Sequence, residues 1–227
     1  MSLLTLTIIV PTLNEAEHII ATLSPLQVMR SRGVEVLLID GGSTDNTLAL
    51  AVPLCDKTIL SEPGRATQMN VGAAAANGEA LLFLHADTIL PDAADTAITA
   101  ALSTADWGRF DVRLRGKHRL LGMVAWMMNQ RSRLSSIATG DQGIFVKRDT
   151  FMSLGGYANI RLMEDIEICK RLKKISAPAN LRQKIITSGR RWDTHGLWRT
   201  IWLMWQLRWQ YFFGADAEQL HKKYYEK

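Results

Sequence analysis

The chain has 227 residues, of which 47% are hydrophobic, and a formal net charge of +5 at pH 7. A chain of this size and apolar content can bury a sizeable core, which favours a single domain. Its two cysteines, Cys55 and Cys169, are too few for a disulfide framework, so we expect reduced thiols and a cytoplasmic location. The N-terminal sequence predicts no signal peptide, and no apolar run is long enough to predict a transmembrane helix.

The positive charge is concentrated near the C-terminus. Residues 1–181 hold 18 basic and 18 acidic side chains, whereas residues 182–227 hold 9 basic and 4 acidic ones. This excess predicts an anionic partner, such as a phosphate-bearing substrate, a lipid headgroup or nucleic acid. A solvated basic face is the alternative.

Strand-like and helix-like segments alternate through the first hundred residues. Continuous apolar runs predict strands buried on both faces of a parallel sheet, at residues 6–10, 34–40, 57–60 and 79–87. Helices are predicted between them: one capped by Thr12 or Asn14 and reaching residue 30, one starting near Ser43 and Asp45, and one over 65–78 that ends at Gly78. This order predicts an α/β fold that binds ligands beyond the carboxyl ends of its strands. Three polar clusters lie at those ends: residues 11–15, 40–43 and 85–87.

The second half is less regular. WGRFDVRLR (107–115) predicts a more exposed strand, and residues 120–130 predict an apolar helix. A short strand is predicted within 140–149, and LGGY (154–157) predicts a sharp turn. MEDIEICKRLKK (163–174) predicts an amphipathic helix with acids at its start and bases at its end, as the helix dipole favours.

Residues 197–213 predict an aromatic-rich helix. Four tryptophans form one helical stripe there, spaced by four, three and four residues: Trp198, Trp202, Trp205 and Trp209. Arg199 and Arg208 argue against a membrane span. Two alternatives stay open: packing in the core or in a homodimer, and peripheral attachment to the inner face of a membrane. Nucleic-acid binding is not predicted, because the stripe lacks an interleaved basic groove.

Five motifs occur in an order that resembles family 2 glycosyltransferases of the GT-A fold: VPTLNE, DGGSTDNT, GRATQMNVGAAAANGE before LLFLHADT, GDQGIFVKRDTFMSLGGY, and MEDIEICKRL. The resemblance covers residues 5–213. It implies a mostly parallel, Rossmann-like sheet flanked by helices, with an aromatic-rich C-terminal helix. It also implies one domain, with a nucleotide-binding half (1–100), an acceptor and catalytic half (101–196) and a C-terminal helical segment (197–227).

The resemblance implies an inverting transfer of a sugar from a nucleotide-sugar, with a UDP-sugar preferred, to a hydroxyl acceptor that could be lipid-linked. The residues implied to bind the donor are Pro11, Thr12, Asn14, Glu15, Asp40, Gly42, Arg65, Ala86, Arg190 and Arg191. For DGGSTDNT the alternative is a plain strand–turn–helix junction, and for the two C-terminal arginines it is a basic surface loop.

HAD occupies the place of the D-x-D motif of that family, which implies that Asp87 binds Mg²⁺ or Mn²⁺. His85 stands where the family has its first acid, so less negative charge would face the cation. His85 either coordinates the metal, which would suit Mn²⁺, or hydrogen-bonds beside the nucleotide. His195 is a further metal or phosphate candidate.

MEDIE matches the acidic motif at the acceptor site, which implies that Asp165 is the general base and that Glu164 orients it or contacts the acceptor. A helix N-terminus favours acids electrostatically in any case, which is the alternative. The residues implied to line the acceptor pocket are Gly140, Asp141 and Gln142. A base acting directly on the acceptor implies single displacement, hence inversion. Two other functions stay open: nucleotidyl transfer on a related fold, and a degenerate, non-catalytic protein that binds nucleotide-sugar or serves as a scaffold.

Overall fold

A computed structural model of the protein describes residues 4–225, which include an eight-stranded sheet. The strands, numbered in chain order, are β1 (Leu6–Thr12), β2 (Glu35–Asp40), β3 (Lys57–Leu60), β4 (Ala80–Phe83), β5 (Thr88–Ile89), β6 (Trp107–Arg115), β7 (Phe145–Lys147) and β8 (Ala179–Ser188).

Helices flank this sheet. Within residues 4–225 they are α1 (Ile19–Leu23), α2 (Gln27–Arg30), α3 (Thr47–Ala51), α4 (Arg65–Ala75), α5 (Ala94–Leu102), α6 (Leu121–Ser135), α7 (Arg148–Ser153), α8 (Glu164–Leu172), α9 (Arg190–His195), α10 (Leu197–Phe212) and α11 (Ala217–Tyr225). Short 3-10 turns cover Ser24–Leu26, Val52–Leu54 and Gly140–Gln142.

The strands lie in the order β3–β2–β1–β4–β7–β6–β8–β5. The first four run parallel to one another, as do β6 and β8, whereas β7 and β5 run antiparallel to their neighbours. The predicted α/β fold with a mostly parallel sheet is therefore confirmed. The strands predicted at 57–60 and 107–115 match β3 and β6 at both ends. The predicted burial of 57–60 on both faces was wrong, because β3 lies at the edge of the sheet and three of its four residues are exposed.

Strand β1 has no polar face because it lies in the interior of the sheet. It lies between β2 and β4, and all seven of its residues are buried. Successive side chains along a strand point to opposite faces of the sheet. Accordingly Ile8 and Val10 pack into one hydrophobic core, and Ile9 packs with Leu37 into the other.

The first predicted helix differs from the structure. Thr12 is the last residue of β1 and Asn14 has a left-handed backbone (φ 54°), so neither caps that helix. The helix begins only at Ile19, and a 3-10 turn containing Pro25 separates α1 from α2. Proline lacks the N–H that a continuous helix needs, which is why one predicted helix becomes two short ones.

The predicted C-cap of α4 was also wrong. The helix ends at Ala75, and Gly78 lies beyond it. Gly78 packs against β1, where a Cβ atom would come within 2.6 Å of the Thr7 backbone nitrogen. The glycine therefore serves a close approach between two backbone segments rather than the end of a helix.

Strand β6 is buried rather than exposed as predicted. Its first six residues are buried, because it lies between β7 and β8 in the sheet. The polar residues that suggested exposure satisfy one another: Arg109 donates hydrogen bonds to Asp111 (2.6 Å) and to Asn180 (2.9 Å). Arg133 on α6 donates to the other oxygen of Asp111.

Helix α10 is two-sided. The four tryptophans at 198, 202, 205 and 209, here called the tryptophan stripe, are each 67–72% exposed. The helix packs inward through its other side, where Thr200 and Leu207 are buried. Packing of the stripe in the core was one predicted alternative, and it is wrong. Among residues 4–225, no helix combines the length and apolarity needed to cross a membrane.

Candidate active site

The loops that follow β1 and β2 lie side by side, because Thr12 pairs with Asp40 in the parallel register. Two hydrogen bonds join these loops. The Asn14 N–H donates to Ser43 Oγ (2.9 Å), and the Thr44 N–H donates to Asn14 Oδ1 (2.9 Å). The first two polar clusters predicted at the sheet edge therefore converge.

Asp40 stabilises the loop that follows β2. Its fully buried carboxylate accepts hydrogen bonds from the N–H groups of Gly42 (2.9 Å) and Ser43 (2.8 Å). Gly42 has φ 92°, a conformation that glycine adopts without strain. The buried amide of Gln68 donates to carbonyls at the ends of β1 and β2, at 2.8 and 2.7 Å. Sequence reasoning missed Gln68, since a glutamine on a helix carries no distinguishing signal; the predicted nucleoside contact of Asp40 stays a prediction.

His85, Ala86 and Asp87 form a turn between β4 and β5. The Thr88 N–H donates to the His85 carbonyl (3.1 Å), and the Thr22 hydroxyl donates to the Ala86 carbonyl (2.6 Å). Asp87 is thus both a turn residue and a half-buried carboxylate at the sheet edge. The third predicted cluster joins the first two there.

Glu15 reaches the same place. Burial raises the pKa of Glu15, and the negative charge of Asp87 adds to the rise, while Arg190, His18 and Arg65 oppose it. Arg190 places one guanidinium nitrogen 3.6 Å from Glu15 Oε1 and another 3.1 Å from His18 Nε2. Two carboxylates and a guanidinium group therefore gather beyond β1 and β4.

These two carboxylates fit a divalent cation. Glu15 Oε2 is buried and has no hydrogen-bond partner among residues 4–225, so it could serve as a ligand beside Asp87. In the described part of the chain, no three His, Cys, Asp or Glu side chains form a complete metal site. Phosphate oxygens of a ligand would complete the coordination, as Mg²⁺ commonly requires.

His85 links this turn to the loop over residues 140–142. Its Nδ1 lies 3.3 Å from Asp141 Oδ1, and a Cβ atom on Gly140 would come within 2.4 Å of its Nε2. Both ring nitrogens therefore face that loop, which favours the imidazole as a partner of Asp141 over a role as metal ligand. Desolvation raises the pKa of Asp141, but the hydrogen bond with His85 and the charges of His85, Arg65 and Arg131 hold it below its ordinary value.

Asp165 meets the same loop from α8. Its Oδ2 accepts a hydrogen bond from the Gly140 N–H (3.0 Å), and its Oδ1 accepts one from the Ile166 N–H (2.7 Å). Met163, just before α8, has φ 70°, which is uncommon for a residue with a side chain and marks a constrained entry into the helix. The half-buried Asp165 carboxylate is therefore held in place by backbone on two sides.

Glu164 differs from its neighbour. It is 5% exposed. Burial and the negative charge of Asp165 raise the pKa of Glu164 to about 7, against the opposing charge of Arg65. Near neutral pH Glu164 therefore holds a proton part of the time and can donate a hydrogen bond, whereas an ionised carboxylate only accepts.

Sequence reasoning assigned no role to two arginines near Asp165. Burial lowers the pKa of Arg131 to about 10 and Arg208 adds to this, against the attraction of Asp165 and Asp141. Burial also lowers the pKa of Arg208, against Asp165. Arg131 Nε is buried and has no hydrogen-bond partner in the described part of the chain. Arg208 carried a signal, as one of two arginines in a mostly apolar helix, but Arg131 carried none.

Arg191, predicted to bind the donor, and His195, predicted as a metal or phosphate ligand, lie beside the C-terminal helices instead. Arg191 donates to the carbonyl of Tyr224 (2.7 Å) and lies over its ring, 3.3 Å from the centroid. His195 lines a separate cleft with Arg199 and Trp202. Of the adjacent arginines 190 and 191, the first is the one that meets Glu15.

Gln142 lies inside the fold rather than on a pocket wall. Its side chain is fully buried, and its Oε1 accepts hydrogen bonds from Ser132 Oγ (2.7 Å) and from the Thr139 N–H (3.1 Å). Gln142 therefore holds the 140–142 loop against α6, while Gly140 and Asp141 face the site.

Known proteins resemble this chain in sequence. The model of Glycosyl transferase family 2 matches residues 7–112, which include the loops around Asp40 and Asp87. A PGL/p-HBAD biosynthesis glycosyltransferase of Mycobacterium tuberculosis is 34% identical over 165 residues, which cover 68% of this chain and 63% of that protein. The match thus spans less than two thirds of that relative's length. An uncharacterised glycosyltransferase of the same organism is 28% identical over 191 residues, or 78% of this chain and 72% of that protein.

Solved structures share the fold. S. aureus TarS in complex with UDP has a TM-score of 0.66 and 18% identity, over 81% of this chain and 60% of that one. The mannosyltransferase PcManGT from Pyrobaculum calidifontis, in complex with GDP-Man and Mn²⁺, has a TM-score of 0.61 and 20% identity, over 92% and 61%. Likeness at these identities establishes the GT-A fold alone. The family match, the curated relatives and the fold agree, and together they support a family 2 glycosyltransferase.

Proposed function

We propose that this protein transfers a sugar from a nucleotide-sugar to a hydroxyl acceptor, with inversion at the anomeric carbon. One observation carries the proposal: the loop over residues 140–142 contacts both ends of the site. Asp141 pairs with His85, two residues from Asp87, and the Gly140 N–H bonds to Asp165. One short loop therefore contacts both the turn that carries Asp87, the proposed cation ligand, and the carboxylate of Asp165, the proposed base. This arrangement favours a shared reaction centre.

The donor would bind beyond the ends of β1 and β2. TarS was solved with UDP and PcManGT with GDP-Man and Mn²⁺, which supports a nucleotide-sugar, and we keep a UDP-sugar as the proposed donor. Arg190 offers planar N–H donors that suit diphosphate oxygens. Asp87 and Glu15 Oε2 would hold Mg²⁺ or Mn²⁺. When bound, that cation offsets the charge that develops on the leaving nucleoside diphosphate.

Asp165 would act as the general base. Its carboxylate takes the proton of the acceptor hydroxyl as that oxygen bonds to the anomeric carbon, while the bond from that carbon to the diphosphate breaks. Attack opposite the leaving group in a single step inverts the configuration. Glu164, which retains a proton part of the time, would orient Asp165.

The buried free thiols Cys55 and Cys169 support the expected cytoplasmic location.

The test replaces Asp165 with asparagine, which keeps the shape but removes the base. Asp165→Asn should lower kcat by about 10²–10⁴-fold, while the melting-temperature shift given by a nucleotide-sugar stays unchanged. Asp149→Asn is the matched control, because Asp149 is an exposed aspartate in the first turn of another helix. Full turnover by Asp165→Asn would refute the assignment.

The products separate the proposal from its alternatives. Glycosyl transfer releases a nucleoside diphosphate, whereas nucleotidyl transfer releases pyrophosphate. A non-catalytic scaffold would give neither product from a broad panel of nucleotide-sugars.

A further inference from the structure

The outer side of α10 forms an apolar surface that the proposed reaction does not use. The tryptophan stripe continues into Phe212 and Phe213, which are 74% and 67% exposed. The rings touch, with 4.8 Å between the centroids of Trp209 and Phe213. At about 150–250 Å² per aromatic side chain, these six residues expose roughly 600–1,000 Å². The largest apolar patch of a typical monomer is about 300–600 Å², so this surface indicates a binding face.

The geometry of α10 separates this face from the protein core. At about 100° per residue, the four tryptophans fall within an arc of about 60°, and Thr200 and Leu207 fall on the opposite side. Those two residues are buried. The helix is therefore anchored by one side and presents its aromatic rings on the other.

Basic side chains lie beside the stripe. Arg199 is exposed next to Trp198, and Lys223 of α11 donates a hydrogen bond to Gln210 Oε1 (3.1 Å), on the same flank of α10. Helix α10 itself contains no acidic residue. A second copy of this chain would bring the same cations against themselves, because a two-fold interface uses one patch twice. Charge complementarity therefore favours an anionic lipid surface over a dimer.

The same helix reaches the catalytic side. Arg208 follows the buried Leu207, and its charge interacts with that of Asp165.

We propose that α10 lies flat on an anionic membrane with the tryptophan stripe at the headgroup level, and that the acceptor hydroxyl belongs to a membrane lipid. Membrane docking is inferred from the exposed side of α10 alone, whereas the lipid acceptor rests on the proposed function. Aromatic and basic residues on one amphipathic helix are typical of such interfacial binding.

The first experiment measures docking without catalysis. The protein is floated with vesicles of phosphatidylcholine, with or without phosphatidylglycerol. The wild type should bind the anionic vesicles, and Trp202→Glu/Trp205→Glu should weaken this binding by at least about tenfold. The control is Val28→Glu/Val52→Glu, which makes the same charge change at residues that are 62% and 55% exposed on other elements. It should bind as the wild type does.

Two results would overturn the docking: the wild type could fail to bind anionic vesicles, or the tryptophan variant could bind them as tightly as the wild type. If the wild type binds no vesicles and light scattering finds a dimer that the tryptophan variant converts to monomer, the surface is a homodimer interface instead.

The second experiment identifies the acceptor class. Radiolabelled nucleotide-sugars are incubated with the protein and vesicles of a total bacterial lipid extract, and label is counted in the organic phase. The wild type should label lipid, and the tryptophan variant should lose most of this label while keeping its thermal shift with nucleotide-sugar. Label that enters only water-soluble products would overturn the lipid acceptor. Absence of both label and thermal shift in the wild type would overturn the proposed function, and the flotation result would stand apart from it.

Discussion

Replacing Glu164 with glutamine should change how the stability of the protein depends on pH. Glu164 is 5% exposed and begins α8 beside Asp165. Its pKa is raised from an ordinary value of 4.5 to about 7, chiefly by burial and then by the charge of Asp165. Glutamine has a similar shape but no ionisable group, so the variant removes this titration and, with it, the repulsion between the charges of Glu164 and Asp165.

The direction in which stability changes with pH follows from proton binding by Glu164 in the folded and unfolded chain. Below about pH 4.5 Glu164 is protonated in both the folded and the unfolded chain, so it adds no pH dependence. Between about pH 4.5 and 7 the unfolded chain releases the proton while the folded chain keeps it, so the folded state loses relative stability as pH rises. Above about pH 7 the loss is complete. Because one pKa unit is worth about 1.36 kcal/mol, the rise in the pKa of Glu164 from 4.5 to about 7 corresponds to about 3 kcal/mol.

Urea unfolding of wild type and Glu164→Gln at several pH values between 4 and 9 measures this effect. The difference in unfolding free energy should move by about 3 kcal/mol in favour of the variant as pH rises through the window. The absolute difference at one pH is not the readout, since a buried amide has hydrogen-bonding needs of its own. Glu17→Gln is the control, because the Glu17 side chain is 84% exposed. Parallel pH curves for wild type and Glu164→Gln would refute the reasoning.

Two further variants test other parts of the site. Asp87→Asn should remove the Mn²⁺-dependent part of the melting-temperature shift given by a UDP-sugar, since it removes one of two proposed carboxylate ligands. Asp92→Asn, at an exposed aspartate, is the control and should keep that shift. An Mn²⁺-dependent shift that stays complete in Asp87→Asn would contradict the metal assignment. Gly140→Ala should destabilise the fold by about 1–3 kcal/mol and lower turnover, because its Cβ atom would lie 2.4 Å from His85 Nε2. Gly122→Ala on α6 is its control, since no atom of the described residues would lie within 4 Å of that Cβ atom. Equal melting temperatures for the two alanine variants would count against the contact between Gly140 and His85.

The sequence was sufficient for the parts of the fold that depend on local pattern. The runs that became β1, β2 and β4 are largely apolar without alternation, and these strands are buried at almost every position. The run that became β3 did not follow this rule, because an edge strand has a neighbour on one side only. Parallel strands place their carboxyl ends at one edge, so the meeting of the Asn14 loop with the Asp40 loop followed from strand order alone. The sequence also contains the signal that divides the first helix, because Pro25 lacks the N–H that a continuous helix needs.

Contacts between distant segments required the tertiary structure. His85 and Asp141 are 56 positions apart in the sequence, and their pairing depends on how β4 and the 140–142 loop meet. Arg190 and Arg191 are adjacent, yet the first faces Glu15 and the second stacks on Tyr224. The sequence could not distinguish the roles of these two arginines, because the residues around each come from different parts of the chain.

The sequence by itself determined the α/β order of elements, the polar strand ends and the family motifs, since strand burial and helix periodicity are written in neighbouring residues. Only the tertiary structure decided which of these polar groups meet, and that the tryptophan stripe is uncovered. Helical spacing reveals that one side of α10 is aromatic, but whether another element covers that side depends on residues far along the chain. Burial, and with it the pKa of Glu164, is a property of packing rather than of spacing.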